Sequence, residues 1–378
     1  MRIVFCVYDF TQNNLSLQPW LTFCKVGQEL AKLKHEVHVV TDAPDFAEPP
    51  GLYVHYVGSL RGLGNSQLAR TVKSISPDSL VFMPTPLNLP ALSWLNGMNG
   101  CRKIAFASYP FYVFSELLQA GKMLGFAESL SYTRHLCMPS FFWRRFLHYR
   151  FDAVISQSQS TRDRLASISA CSISTYAIMP GIDLDKWPLR PEPRVHRPVV
   201  LLYMGSAKKI RGFEILLDAL AMIEKKSVLL RILARGADEK KMLEIQSAIE
   251  KKGLKDRVEL KGGWMDQSLL VQEMHACTAV VLPFLLVPSE LPVSVMEAIA
   301  CGVPVIGSRI DGLPSAIGSA GIVAEHADTV SLAGIIKSLH DNPEMFSQWY
   351  DNCRIQRSRM RSWEEVSRKW EKVLIYAG

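Results

Sequence analysis

The chain alternates between two kinds of apolar pattern. Short runs rich in β-branched residues, "RIVFCVY" at 2–8, "EVHVVTD" at 36–42, "SLVFMP" at 79–84, "KIAFAS" at 103–108 and "FDAVISQS" at 151–158, recur through the first half. Uncharged stretches such as "SLVFM" suit strands of a sheet that is covered on both faces. Between them lie segments of helical period. In "WLTFCKVGQELAKLK", residues 20–34, Leu21, Cys24, Val26, Leu30 and Leu33 fall near one face. This alternation predicts a parallel sheet with helices on both sides.

Around 185–198 the texture changes to "DKWPLRPEPRVHRP". Pro188, Pro191, Pro193 and Pro198 exclude a helix or a central strand, so this stretch reads as an interdomain linker. A second alternation follows: "VVLLYMG", "GFEILLDALAMI", "SVLLRILA", "EKKMLEIQSAIEKKG", "RVELKG", "DQSLLVQEMHA", "TAVVLPF", "VSVMEAIACG" and "VPVIGS". The expected fold is α/β, with two tandem doubly wound (Rossmann-like) domains facing a central cleft. The divisions are 1–190, 191–360, and a last amphipathic helix at 361–378. In such sheets ligands sit beyond the carboxyl ends of the strands, so each half can hold one ligand.

The length of 378 residues agrees with two domains. A net charge of +7, with no Lys/Arg block, permits an anionic ligand or a weak membrane contact and gives no sign of a nucleic-acid patch. The eight cysteines show no CxxC or Cys/His metal spacing and read as buried free thiols of a reducing compartment. The N-terminus "MRIVFCVYDF" reads as a first strand and not as a signal peptide. No apolar run is long enough to span a bilayer.

Candidate chemistry concentrates in "LPFLLVPSELPVSVMEAIACGVPVIGS", residues 282–308. A strand ends, a loop follows, and a helix is predicted from about Pro292 to Ala300, with Gly302 as its stop. The N–H groups of Leu291, Pro292's neighbour Val293, and Ser294 would open into the cleft as an anion site suited to a diphosphate. Glu290 and Glu297 flank that site. Ionised carboxylates accept hydrogen bonds only, so they would repel phosphate yet hold sugar hydroxyls on either side of it. Spacing alone leaves a second reading open, with Glu290 as a charge beside the helix dipole and Glu297 as a solvated residue.

This stretch resembles the C-terminal signature of retaining GT-B glycosyltransferases of family 4 (glycosyl transferases group 1). The resemblance implies that the loop Glu meets the donor sugar and the helix Glu the ribose. Here six residues, Leu291–Met296, separate Glu290 from Glu297, one fewer than the family pattern, and Ser289 competes with Glu290 for the sugar position. "LLYMGSAKKIRGFEILLDAL" resembles the family's strand, glycine loop and helix. By that resemblance Gly205 and Ser206 line the donor site and Arg211 is the second member of a basic pair that grips the diphosphate. Lys208 stands in for the first, because Ser206 follows the glycine directly. A cation there would stabilise charge developing on the leaving group. Gly263 and Trp264, after "RVELKG", would reach the nucleotide base. The resemblance covers about 151–378.

The first domain departs from the family. "YDFTQNNLSLQPWL" has no glycine pair, and no histidine follows the strands "SLVFMP" and "KIAFAS". His35 and His38 read as structural. Asn14, Thr85, Asn88 and Tyr109 are the acceptor-side candidates. "YTRHLCMPSFFWRRFLHYRF", 132–151, mixes aromatic and basic residues and reads either as core or as a face for an anionic membrane.

The resemblance implies a retaining transferase that moves a sugar from a UDP- or GDP-linked donor to an acceptor hydroxyl of a glycan or lipid-linked acceptor. It implies no cofactor and no metal, and a cytoplasmic protein at or near the inner membrane face. A nucleotide-sugar epimerase of related two-domain fold is the alternative. A two-lobed binding protein would need a secretory signal, and a dehydrogenase would need a GxGxxG after the first strand.

Overall fold

A computed structural model describes residues 1–60, 66–84, 89–107, 114–124, 147–169, 173–193, 198–224, 228–263, 265–287, 291–342 and 344–376. Two parallel sheets organise them. The first contains β1 (Arg2–Cys6), β2 (Glu36–Thr41), β3 (Tyr53–Tyr56), β4 (Ser79–Phe82), β5 (Arg102–Ala107), β6 (Ala153–Ser156) and β7 (Ser174–Ala177), in the order β3-β2-β1-β4-β5-β6-β7. The second contains β8 (Val199–Met204), β9 (Val228–Arg235), β10 (Val258–Gly263), β11 (Ala279–Leu282), β12 (Val305–Ser308) and β13 (Gly321–Ala324), in the order β10-β9-β8-β11-β12-β13. Each order reverses once, at β1/β4 and at β8/β11. Those reversals are where open α/β sheets place ligands.

The uninterrupted apolar runs follow from burial on both faces. Along β1, Ile3 and Phe5 enter one core while Val4 and Cys6 enter the other. The edge strands β3, β7, β10 and β13 are less buried, and "YVHY", "STYA" and "VELKGG" accordingly carry polar positions, whereas β13, "GIVA", stays apolar. The described cysteines Cys6, Cys24, Cys101, Cys277, Cys301 and Cys353 are buried free thiols.

Helix α1 (Trp20–Lys32) buries more than its single predicted stripe. Phe23 is fully buried, whereas Leu21 and Leu33 are half-buried. The cause is the C-terminal helix, Trp363–Tyr376, which packs on α1 and inserts Trp370 beside Phe5, Phe23 and Phe106 at ring separations of 6.0, 6.0 and 5.2 Å. Its start is a reciprocal cap: Glu365 N–H donates to Ser362 Oγ at 3.2 Å, and Ser362 N–H donates to Glu365 Oε2 at 3.0 Å. His35 bonds Glu371 of this helix at 2.8 Å, and His38 lies between Glu36 and His55.

Two further segments bind the halves together. The helix Phe114–Met123, which precedes β6, sends Leu117 and Ala120 into the core of the second sheet, joined by Leu124. The Pro-rich segment is anchored by Arg190, whose N–H donates to Cys301 O and whose guanidinium donates to Cys277 O, each at 3.0 Å. Of the aromatic-basic stretch 132–151, residues 132–146 lie outside the described residues. Leu147 and Phe151 are buried in the first core, and Tyr149 is exposed.

Candidate active site

The loops after β8 and β11 meet at the reversal of the second sheet. Gly205 leaves β8 with φ +119°, a conformation that favours glycine. The reason is Arg211. From the short turn Lys209–Arg211 its side chain folds back so that Nη2 donates to Met204 O at 3.1 Å, and its guanidinium lies over the Phe284 ring at 4.9 Å. A Cβ on Gly205 would sit 2.6 Å from Nη2. Arg211 Nε is buried with no hydrogen-bond partner among the described residues. Burial pushes the neighbouring Tyr203 phenol up to about 12 against the pull of Arg211. Its hydroxyl donates to Ser206 O at 2.9 Å, and Lys208 is exposed.

Gly212, at φ +71°, lets the two loops close on each other, because a Cβ there would lie 1.7 Å from Pro283 O. The Leu285 and Leu286 N–H groups then both donate to Ile210 O, at 2.9 and 3.0 Å. The posture of Arg211 is thus tied to the loop that leads into the next helix.

That helix spans Val293–Ala300, with Pro292 as N-cap at φ −65° and ψ 124°. Pro292 lies just outside the helix and not within its first turn. Gly302, at φ +73°, ends it, with Gly302 N–H on Ile299 O and Val303 N–H on Ala298 O. Among the described residues the N-terminus has no side-chain cap, and its first turn holds no acidic residue, so its positive end is not neutralised from within the helix. Leu291 is buried, and Val293 and Ser294 are half-buried.

Glu297 lies one turn in and is half-buried. Desolvation by the side chains around it pushes its carboxyl up to about 7, opposed by Arg235 at the end of β9. A carboxyl in that state is poised to ionise when hydrogen-bond donors arrive. Gly263 ends β10 at φ +91°, and its C=O accepts from Gly236 N–H at 3.4 Å. Beside it a groove of about 620 Å³ is lined by Ala237, Met242, Leu243, Leu260, Gly262 and Gly263.

The structure therefore brings Gly205, Ser206, Lys208 and Arg211 to one loop and joins that loop to the segment before Leu291, Pro292, Val293 and Glu297. Ser289, Glu290 and Trp264 lie outside the described residues, as do Thr85, Asn88 and Tyr109. Asn14 is described, and its Nδ2 donates to Asp9 O at 2.8 Å, bracing the loop after β1. Three residues not singled out by the sequence also bear on this region: Arg235, Asp311 and His326. Arg235 had a faint signal as a charge ending the strand "LLRILAR". "RIDGLP" reads as an ordinary Asp-Gly turn, and "AEHAD" as a helix approach.

Residues 198–342 match a family model described as Glycosyl transferases group 1. Among relatives, glycogen synthase of Mycobacterium tuberculosis is 25% identical over 232 residues, which cover 60% of this chain and 54% of that protein. MMP alpha-(1->4)-mannosyltransferase of Mycolicibacterium hassiacum is 26% identical over 230 residues, covering 58% and 52%. The chain spans about half the length of these curated relatives. Among solved structures, sucrose-phosphate synthase from Thermosynechococcus elongatus superposes with a TM-score of 0.75 at 17% identity, covering 99% of this chain and 98% of that one. Anabaena Alr3699/HepE, solved in complex with UDP and glucose, gives 0.73 at 17% identity with full coverage of both chains. The fold is the GT-B architecture of two Rossmann-like domains.

Proposed function

We propose that the protein is a retaining glycosyltransferase that moves a sugar from a UDP- or GDP-linked donor to an acceptor hydroxyl, in glycan, polysaccharide or glycolipid assembly. The observation that carries this reading is the junction of the Arg211 loop with the approach to an uncapped helix N-terminus, one turn from a carboxyl with no hydrogen-bond partner among the described residues. The relatives' names and the UDP-bound neighbour support it.

In this reading the diphosphate lies between Arg211, Lys208 and the N-terminus of helix 293–300, which together meet its charge without a metal ion. Glu297 accepts from the ribose hydroxyls, Gly263 and Trp264 face the base, and Glu290 or Ser289 meets the sugar. The anomeric C–O bond breaks with its electron pair going to the diphosphate oxygen. The acceptor oxygen bonds to the same face of the sugar, and its proton passes to the leaving diphosphate. The acceptor enters from the first domain, where Asn14, Thr85, Asn88 and Tyr109 are the proposed contacts. We place the protein in the cytoplasm, with 132–151 as its proposed membrane contact. Among the described residues no helix is long and apolar enough to cross a membrane.

A thermal-shift panel of UDP, GDP, ADP and their sugars tests the donor class. Ligand at about 100 times Kd adds about 2.7 kcal/mol, so the matching nucleotide is expected to raise Tm by several degrees. Product analysis then distinguishes sugar transfer from epimerisation. A flat response across the panel rejects the proposal. A second measurement concerns Glu297. With its carboxyl at about 7, the group is protonated below that pH and becomes an acceptor-only carboxylate above it. The kcat/KM for donor should rise with pH through about 7 and then level, and Glu297→Gln should abolish that limb. The same limb persisting in the variant would remove Glu297 from the site.

A further inference from the structure

His326 occupies a stiff loop between β13 and the helix Thr329–Asp341. Glu325 N–H donates to Ser331 Oγ at 3.0 Å, Asp328 caps the helix by accepting from Ser331 N–H at 2.9 Å, and Arg309 pairs with Glu325 at 3.0 Å. The imidazole reaches in two directions. Nε2 is 2.8 Å from Leu285 O, and Nδ1 is 2.9 Å from Gln119 Oε1. Two acceptors cannot both be served by a neutral ring. Rotating the Gln119 amide resolves this, because its NH2 then donates to Nδ1 while Nε2–H donates to the Leu285 carbonyl.

The elements that carry each end of this link are anchored, although the Gln119 side chain itself is exposed. Gln119 lies on the helix 114–123, whose Leu117 and Ala120 pack into the second core. Glu116 of the same helix holds a bidentate pair with Arg164 of the helix Gln159–Ser169, at 3.2 and 2.7 Å. At the other end the Leu285 N–H donates to Ile210 O, one residue before Arg211. A continuous hydrogen-bonded path therefore runs from Gln119 through His326 and Leu285 to Ile210.

We infer that His326 is a positioning residue that locks the 283–287 loop against the 205–212 loop through contact with helix 114–123, so that the donor site is set when the two halves are docked. The donor-site part of this statement rests on the function proposed above. The locking part does not. Leu285 is 2% exposed, so in the folded chain its carbonyl depends on the His326 donor, and losing that donor loosens the loop while its N–H bonds to Ile210 O remain.

The test uses hydrogen exchange on the full chain, with His326→Ala, Gln119→Ala and His326→Gln. His326→Ala should speed exchange at the Leu285 and Leu286 amides by about tenfold, the scale of one net hydrogen bond. Gln119→Ala should do so by less, and β8 amides should be unchanged. His326→Gln, which keeps an N–H for Leu285 O, should restore much of the protection. Unchanged exchange at 285–286, or an equal rise across both sheets, overturns the inference. With a confirmed donor, His326→Ala should raise donor KM by about tenfold, with kcat changed less than about threefold, and the Gln variant should recover KM. If no nucleotide binds the wild-type protein, the functional reading falls, while the exchange result still decides the lock.

Discussion

Under the proposed function, Arg211→Ala is expected to lower kcat/KM for the donor by about 10²–10³-fold, the range for removing one preorganised group at a developing anion. The expectation follows from how the side chain is held before any ligand arrives. Nη2 is anchored on Met204 O, the guanidinium rests on Phe284, and Gly205 leaves the space in which it lies. In the proposed reaction no reorganisation would then be needed when charge appears on the leaving diphosphate. Arg211→Lys should recover only a small part, because an ammonium lacks the planar fork that can lie on Phe284 while its edge faces the ligand. Steady-state kinetics with a donor confirmed by thermal shift, alongside circular dichroism to show an intact fold, makes the comparison. Rates within about threefold of wild type would dismiss Arg211 from the chemistry.

Asp311→Asn raises thermal stability at pH 8 and removes a pH dependence that the native chain should show. Asp311 is 7% exposed and sits at φ +48°. Among the described residues neither carboxylate oxygen makes a full hydrogen bond, and the Thr161 hydroxyl facing it also lacks a partner. Burial pushes the carboxyl up to about 7. The Arg164 guanidinium pulls the other way, the Glu116 carboxylate adds to the rise, and the approaching Thr161 hydroxyl and Gly312 N–H offset it slightly. Thr161, Arg164 and Glu116 all belong to the first half of the chain, so the buried charge lies where the two halves meet.

The sign follows from linkage. A carboxyl raised in the fold binds its proton more tightly folded than unfolded, so its contribution is greatest below the unfolded pKa near 4. That contribution falls as pH rises through about 7 and is constant above. At about 1.4 kcal/mol per pH unit, the difference between Asp and Asn is on the order of 1–4 kcal/mol at pH 8 and small near pH 4. Asn also tolerates the left-handed backbone, which Ala would not. Melting curves from pH 4 to 8 check this, and parallel curves for the two proteins would contradict it.

Much of the second half was legible because its signals are local. The helix 293–300 was bounded within a residue by Pro292 and Gly302. The glycine loop was visible as a strand end followed by "GSAKKIRG". The edge strands β3 and β7 were not legible, since "YVHY" and "STYA" carry polar positions that break the apolar run marking their buried neighbours, and β13, "GIVA", is apolar but only four residues long. Phe23 was missed from the α1 stripe because the partner that buries it, Trp370, lies at the far end of the chain.

The sequence by itself determined the two-domain α/β order, the Pro-rich junction, the helix with its uncapped N-terminus and the basic glycine loop. Each rests on periodicity, backbone preference or charge within a few residues, and those forces act without regard to the rest of the chain. Only the tertiary structure decided that Glu297 is held near 7, that Arg211 lies on Phe284, and that Gln119 meets His326 across 207 positions. Burial, desolvation and hydrogen bonding between distant segments exist only once the sheets have docked, and no local pattern encodes them.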